Sequence, residues 1–254
     1  MRESRYEGEG ACQFPVKTTL GSHVTMHRRH GSYGFDAPWA LAGLLAGAVL
    51  LLALAAVSLV LDVPAPGVVF LFGALYTLAS AASQLYTTRR GRFAVWHEEL
   101  RRLRGDERLL DLGCGRGAVL LLAARRLETG RAAGVDRRRG RAARANAEAE
   151  GLADRVEMVT ADPRDLPFED GVFDVVVCGR TPSVGERAVE EACRVLRPGG
   201  VVLVAADVRH SAAYEAALRR LGARDVRRRD LGWRHWYGGP WARTELVEAV
   251  KPSG

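Results

Sequence analysis

Two long apolar runs, followed by a regular alternation of short apolar segments with amphipathic ones, divide this chain. Trp39 to Leu61 carries no charge and only Ser58 as a polar residue; Gly67 to Tyr86 repeats the pattern with Thr77, Ser80, Ser83 and Gln84 as mild exceptions. Each run supplies about 20 residues or a little more, roughly 30 Å of helix, the depth of a bilayer's hydrocarbon core. A buried core helix normally keeps a polar stripe, and neither run has one. The pattern predicts two membrane-spanning helices. Asp62-Val63-Pro64-Ala65-Pro66 between them suffices only for a tight turn, so the helices form a hairpin with both ends on one side.

Ahead of the hairpin, Met1 to Pro38 mixes Gly, Ser, His and scattered charges without periodicity and reads as a disordered tail. Met26, followed by His27-Arg28-Arg29, is an alternative native start, and the first apolar run is too long for the core of a secretory signal. Behind the hairpin, Thr87 to Arg92 reads as a polar linker. Phe93, Trp96, Leu100 and Leu103 then recur at spacings of three and four, which predicts an amphipathic helix over Phe93 to Arg104.

From Arg108 onward, strands and helices alternate. Strands are predicted at Arg108–Leu112, Ala132–Val135, Val156–Thr160, Val172–Cys178 and Val201–Ala206, and helices at Gly117–Glu128, Gly140–Glu150, Glu186–Leu196 and Ala212–Leu221. Strands this apolar are buried on both faces, as in a parallel sheet covered by helices. Ala223–Leu231 and Arg243–Val250 alternate again and are joined by a loop rather than a helix, so they pair antiparallel at the sheet edge. The predicted architecture is α/β: a doubly wound, mostly parallel sheet with a C-terminal antiparallel β-hairpin, preceded by two transmembrane helices. Its parts are a tail over 1–38, a hairpin over 39–86 and an α/β domain over 87–254.

Charge settles the orientation. Arg28 and Arg29 precede the first span and Arg89, Arg90 and Arg92 follow the second, while the connecting turn has no basic residue; the positive-inside rule places both termini and the domain in the cytoplasm. Trp39 and Tyr86 stand where interfacial anchors stand. The net charge of +7 comes from thirty-five arginines against two lysines, alongside abundant alanine, a pattern of codon bias more than of a nucleic-acid surface. An anionic leaflet suits it, and nucleic acid is not indicated as a partner. Cys12, Cys114, Cys178 and Cys193 have neither metal spacing nor a C-x-x-C pair and suit a reducing compartment; no metal site is expected.

The candidate chemistry centres on Leu109-Leu110-Asp111-Leu112-Gly113-Cys114-Gly115-Arg116-Gly117-Ala118, a strand, a glycine turn and a helix start. Glycines let the backbone approach a ligand, and the helix start presents unpaired N–H groups. The dinucleotide fingerprint wants glycines at relative positions one, three and six; here they fall at one, three and five, with Ala118 at six. Asp111 precedes the loop, Asp136 ends the second strand and Asp162 follows the third, and in an open α/β sheet these strand ends converge on one crevice. Three carboxylates repel a pyrophosphate and stabilise a ligand that carries ribose hydroxyls, an amino group and a sulfonium.

Leu109 to Leu121, Val135-Asp136, Thr160-Ala161-Asp162 with Leu166-Pro167-Phe168, Phe173 to Cys178, and Arg194-Val195-Leu196-Arg197-Pro198-Gly199-Gly200 together resemble the successive motifs of Rossmann-like (class I) S-adenosylmethionine-dependent methyltransferases over about residues 93 to 251. The resemblance implies S-adenosylmethionine as cofactor. Backbone groups of Gly113, Cys114 and Gly115 would meet its amino acid part, Asp111 its amino group, Asp136 both ribose hydroxyls and Asp162 the adenine amino group. Cys178 would lie near the methionine moiety. Arg137 stands where the family often has an apolar residue against adenine, which weakens that contact or replaces it with guanidinium stacking.

After the fourth strand comes Cys178-Gly179-Arg180-Thr181-Pro182, not the Asn/Asp-Pro-Pro-Tyr of amino-methylating relatives, which disfavours DNA adenine and glutamine amides as acceptors. Arg180, Thr181, His210, His235 and Tyr237 are acceptor-side candidates on loops facing the crevice, with no catalytic base assigned. Trp233, Trp236, Tyr237 and Trp241 crowd one loop, which either packs over the sheet edge or forms an apolar acceptor pocket or membrane-facing lip. Arg137, Arg138, Arg139, Arg141 and Arg144 read as a solvated helix face. The function expected is a membrane-anchored methyltransferase acting on a hydrophobic or membrane-proximal small molecule; the alternative is a membrane-bound, non-catalytic S-adenosylmethionine sensor or scaffold.

Overall fold

The structure, a computed structural model, describes residues 30–35, 38–138, 140–179, 185–237, 239 and 242–253. Two helices, α1 (Pro38–Val60) and α2 (Pro64–Tyr86), lie antiparallel as expected. They are joined by a turn in which Asp62 takes a positive φ of 56°. Ala48 and Ala55 of α1 and Ala74 and Ala81 of α2 are buried, whereas the outward faces keep large apolar side chains exposed, Leu59 at 65% and Phe72 at 68%. Both helices are long and apolar enough to cross a membrane.

The expected linker is helical instead. A five-residue π turn, Thr87–Gly91, carries α2 straight into α3 (Arg92–Glu99). Its composition reads as polar, but its polar groups face the domain. The Thr87 hydroxyl donates to the Trp236 carbonyl at 2.6 Å, and the Ser83 hydroxyl donates to the same oxygen at 3.2 Å. Tyr86, placed by sequence as an interfacial anchor, stacks on Trp233 with ring centroids 5.1 Å apart. Gly91 admits the backbone of the 233–236 loop, because a Cβ there would lie 1.7 Å from the Arg234 carbonyl oxygen. A π turn widens the helix just where this loop seats.

The remaining elements are β1 (Arg108–Leu112), α4 (Ala118–Ala124), β2 (Arg131–Val135), α5 (Gly140–Ala149), β3 (Val156–Val159), β4 (Phe173–Cys178), α6 (Glu186–Val195), β5 (Leu196–Asp207), α7 (Val208–Arg220), β6 (Arg224–Asp230) and β7 (Thr244–Val250). They build one seven-stranded sheet in the order β3-β2-β1-β4-β5-β7-β6. β1 to β5 are mutually parallel, and β7 runs antiparallel between β5 and β6. One core packs on each face of the sheet, around Trp96, Leu109, Leu120 and Leu203 on one side and Leu110, Phe173, Val202 and Val247 on the other. Several boundaries differ from expectation, three of them instructively. α4 stops at Ala124; the Pro198-Gly199-Gly200 turn lies inside β5, where the pairing with β4 shifts register; and α7 starts four residues early, because Asp207 caps it by accepting the Arg209 N–H at 2.9 Å.

The tail was expected to be disordered to Pro38. Residues 1–29, with Cys12 and Met26, lie outside the described residues, but His30 to Phe35 is docked on the domain. The backbone N–H groups of His30 and Gly31 and the Tyr33 hydroxyl all donate to one Glu150 oxygen at 3.0 Å, and the Ser32 N–H donates to Asn146 at 2.8 Å. Tyr33 meets Phe93 edge-on at 5.2 Å. Acceptors on the end of α5 thus satisfy a strap that has no periodicity of its own.

Replacing Gly91 by Ala is expected to unseat the 233–236 loop, since backbone meets backbone and no side-chain rotation relieves it. The cost is about 2 kcal/mol, within the range of backbone-strain substitutions, read as a lower unfolding midpoint and faster tryptic cleavage after Arg234. An unchanged midpoint with unchanged cleavage would contradict this packing.

Candidate functional site

β1 delivers Asp111 to the middle of the sheet, between β2 and β4, and the chain then turns through Gly113, Gly115 and Gly117, whose φ values are 66°, 58° and 80°. Only glycine adopts this run of left-handed conformations without strain. The loop is pinned from below. The Cys114 N–H donates to the Val135 carbonyl at 3.1 Å, and the Gly115 N–H donates to an Asp136 carboxylate oxygen at 3.1 Å. The other Asp136 oxygen accepts the Arg138 N–H at 2.9 Å, so this carboxylate orders its own turn and the glycine loop together.

A cleft of about 430 Å³ opens over the loop. Asp111, Gly113, Cys114 and Gly115 line it, as the sequence suggested; Tyr33, Arg92 and Gly179 are among the other residues of its wall. Gly179 is required at the end of β4, because a Cβ there would lie 2.3 Å from the Val119 side chain at the start of α4.

Asp111 is 1% exposed, and its Oδ2 has no hydrogen-bond partner among the described residues. Burial pushes its carboxyl up to about 8, the Leu120 backbone N–H pulls the other way, and the charge of Asp136 adds to the rise. A buried carboxyl left half satisfied in a cleft wall is a receptor for a cationic donor. Asp162 is the opposite case. Arg164 grips it through Nε at 3.1 Å and Nη2 at 2.8 Å, Arg137 stands 3.7 Å away, and these cations hold its carboxyl at about 2. Asp162 and Arg137 therefore form a solvated rim beyond the cleft, still joined to each other.

Not every expected site residue reaches the cleft. Cys178 packs into the core on the sheet face of Leu110 and Leu112 and is not among the cleft's lining residues, whereas its neighbour Gly179 is. His235 is fully buried in a single 3₁₀ turn, edge-on to Tyr237 at 5.4 Å, against the foot of the helix; it does not face the crevice. His210 is exposed in the first turn of α7. Arg139, Arg180, Thr181 and Trp241 lie outside the described residues. Among the described residues no group of three His, Cys, Asp or Glu side chains could hold a metal ion.

Sequence reasoning missed Tyr33, Arg92 and Asn146. Asn146 is buried and donates to the carbonyls of Arg116 at 2.8 Å and Ser32 at 3.2 Å, tying the glycine loop to the strap. Arg92 was read only as a topology marker, though it is buried with its guanidinium 5.0 Å from the Phe93 ring. One signal was available: aromatic Tyr33 and Phe35 stand beside glycines in a tail otherwise poor in large apolar residues.

The residues present fit S-adenosylmethionine on these observations. The buried Asp111 oxygen awaits an amino group, the glycine loop leaves room for backbone contact, and Asp136 presents its carboxylate under the loop.

Comparison with known proteins agrees. Residues 109–200 match the family model described as a methyltransferase domain. The ubiquinone/menaquinone biosynthesis C-methyltransferase UbiE of Roseobacter denitrificans is 36% identical over 106 residues, 40% of this chain and 42% of that protein. The phosphatidylethanolamine N-methyltransferase of Cereibacter sphaeroides is 36% identical over 135 residues, 50% of this chain and 62% of the other. The chain thus spans about two fifths of the UbiE relative, and in neither case does it span two thirds of the relative. Among solved structures, the [4+2]-cyclase SpnF has a TM-score of 0.53 at 24% identity, covering 62% of this chain and 80% of that one. The geranyl diphosphate C-methyltransferase of Streptomyces coelicolor has a TM-score of 0.52 at 17% identity, covering 62% and 79%. These two show the fold, and the cyclase is a reminder that a fold alone does not fix a reaction. Residues 109–200 thus match a methyltransferase domain, and by its motifs and sheet order the α/β domain of this chain is similar to the class I S-adenosylmethionine-dependent methyltransferases.

Proposed function

We propose that this protein is a membrane-anchored enzyme that transfers a methyl group from S-adenosylmethionine to a hydrophobic or membrane-proximal small molecule, with both termini and the domain in the cytoplasm. The observation that carries the proposal is the continuity of the apolar hairpin with the site: Arg92, reached from α2 through the π turn, is itself a wall of the cleft. The outward apolar faces of α1 and α2 favour lipid over a protein core. Of the relatives, one is named for phosphatidylethanolamine, a bilayer lipid.

When bound, S-adenosylmethionine supplies a methyl group on a sulfonium, already activated for in-line displacement. The chain's own work is to bind and orient. Asp111 takes the amino group, Gly113 to Gly115 present backbone to the amino acid part, Asp136 accepts the ribose hydroxyls, and Asp162, with Arg137 beside it, meets the adenine amino group. Orientation supplies much of the acceleration in such a transfer, and a base is required only where the acceptor must lose a proton first. No side chain is assigned that role.

The test is radiolabelled methyl transfer from S-adenosylmethionine by the full-length protein, with membrane and soluble extracts offered as acceptors. Label in the membrane lipid fraction is expected. Label only in water-soluble products would sink the acceptor class, and cofactor binding without transfer to any fraction would turn the reading to a sensor.

Two site predictions accompany it. Asp136→Asn keeps an acceptor oxygen for the Gly115 N–H but loses the charge under the ribose; charged hydrogen bonds contribute about 1.5–3 kcal/mol, so S-adenosylhomocysteine should bind roughly 10- to 150-fold more weakly by calorimetry, and Asp136→Ala should show no binding. Unchanged affinity in both would remove Asp136 from the site. For Asp111 the expectation concerns pH. Its carboxyl, at about 8 in this environment, is mainly protonated at pH 6 to 7.5 and must ionise to meet an ammonium group. Binding therefore releases a proton, and affinity for S-adenosylhomocysteine climbs with pH across that window at close to tenfold per unit. Asp111→Asn should bind weakly and without this slope; a wild-type affinity that is flat from pH 6 to 7.5 would contradict the assignment.

A further inference from the structure

A second cleft, of about 970 Å³, lies between the strap and the foot of the hairpin, lined by strap residues Gly31 to Phe35 and by Thr88, Arg89, Arg92 and Phe93. Tyr33 and Arg92 are walls of both this cleft and the cofactor cleft, so the two are neighbours across a shared partition. The strap's last described residue, Phe35, stands three positions before α1 begins, and Thr88 stands two after α2 ends. The cleft therefore opens between the two helix feet, on the side where the hairpin would leave the bilayer.

Its chemistry is lopsided. The Arg89 guanidinium sits 5.2 Å from the Phe35 ring centroid and that of Arg92 sits 5.0 Å from the Phe93 centroid, so each cation is backed by an aromatic wall. No acidic residue is among the described residues lining it. A site lined by guanidinium groups with phenyl rings beside them suits an amphiphile with an anionic head and an apolar tail.

Resting on the methyltransferase reading above, we propose that this cleft is the acceptor-binding site, and that it takes an anionic-headed amphiphile directly from the cytoplasmic leaflet, head to Arg89 and Arg92, tail between Phe35 and Phe93. The acceptor enters sideways, between the ends of α1 and α2, and its head passes Tyr33 and Arg92 to meet the methyl group directly in the cofactor cleft.

The experiment uses the full-length protein in phosphatidylcholine nanodiscs that contain a trace of phosphatidic acid bearing a diazirine on its acyl chain, with photoadducts mapped by peptide mass spectrometry. A phosphatidylcholine with the same diazirine tail is the neutral-head control, inorganic phosphate at 10 mM is the soluble competitor, and S-adenosylhomocysteine binding is measured on the same samples. Adducts on the peptides holding Phe35 and Phe93 are expected at five times the control level or more. Arg89→Gln should bring that excess down to the control, and Phe35→Ala should lower it at least threefold. Adducts confined to the lipid-facing surfaces of α1 and α2, or equal for both heads, would overturn the assignment; so would complete loss of the excess in phosphate, which would mean the tail contributes nothing. If those results come with intact S-adenosylhomocysteine binding, the acceptor cleft alone is wrong. Loss of that binding in the wild type would instead remove the methyltransferase reading beneath it.

Discussion

The order in which the strands lie decides where anything can bind. From β1 the sheet grows outward to β2 and β3, then the chain crosses back and lays β4 on the other side of β1. The connections after β1 and β4 consequently leave in opposite directions, and a crevice remains above their carboxyl ends. Asp111 and Gly179 mark those two ends, and both line the cleft. The local demands follow from this opening. The loop after β1 must turn sharply enough to leave the crevice free, hence three left-handed glycines, and α4 must approach β4 so closely that only Gly179 fits beneath Val119.

What joins this site to the hairpin is equally physical. A flexible linker would let the domain wander, whereas the π turn carries one helical path from Pro64 to Arg102. The aromatic loop clamps that path with the Trp236 carbonyl, the Tyr86–Trp233 stack and the approach of Arg234 to Gly91. On the far side the strap is bound through Glu150 and Asn146, so both chain ends of the hairpin are tied to the domain. The crowding of tryptophans is thus an attachment, and buried His235 belongs to that attachment rather than to the chemistry.

The elements written in periodic signals were legible. Alternation and apolar runs located the strands of the sheet, including the antiparallel pair, to within a residue except at the start of β5, because each strand's burial follows from its own side chains. Asp111 and the glycines were legible as well, since strand, turn and helix start are contiguous in sequence. What was not legible depends on partners far away along the chain. Thr87 to Arg92 looks polar and linker-like until the Trp236 carbonyl and the backbone of Arg234 arrive from about 150 residues downstream. Tyr33 meets Glu150 across 117 residues and carries no periodic signal. Cys178, which the resemblance sets near the methionine moiety, packs in the core one position before the cleft-lining Gly179, since reading a strand end from sequence leaves its parity, and with it the face, undetermined.

Height above the bilayer links the hairpin, the clamp and the cleft. From Tyr86, the last residue of α2, to Arg92 is six residues, about 9 Å at helical rise. Headgroup regions add roughly 5–8 Å on each side of a hydrocarbon core. If the hairpin spans the bilayer as proposed, Arg92 and the cofactor cleft it lines would be held at the outer edge of the headgroup layer, with the continuous helix fixing that height. An amphiphile would then keep most of its tail in the hydrocarbon while its head rises into the site, so the large cost of lifting an acyl chain into water, about 0.8 kcal/mol per methylene, is avoided. A soluble domain on a loose tether would have to extract its substrate; a domain rigidly held at this height only has to receive it.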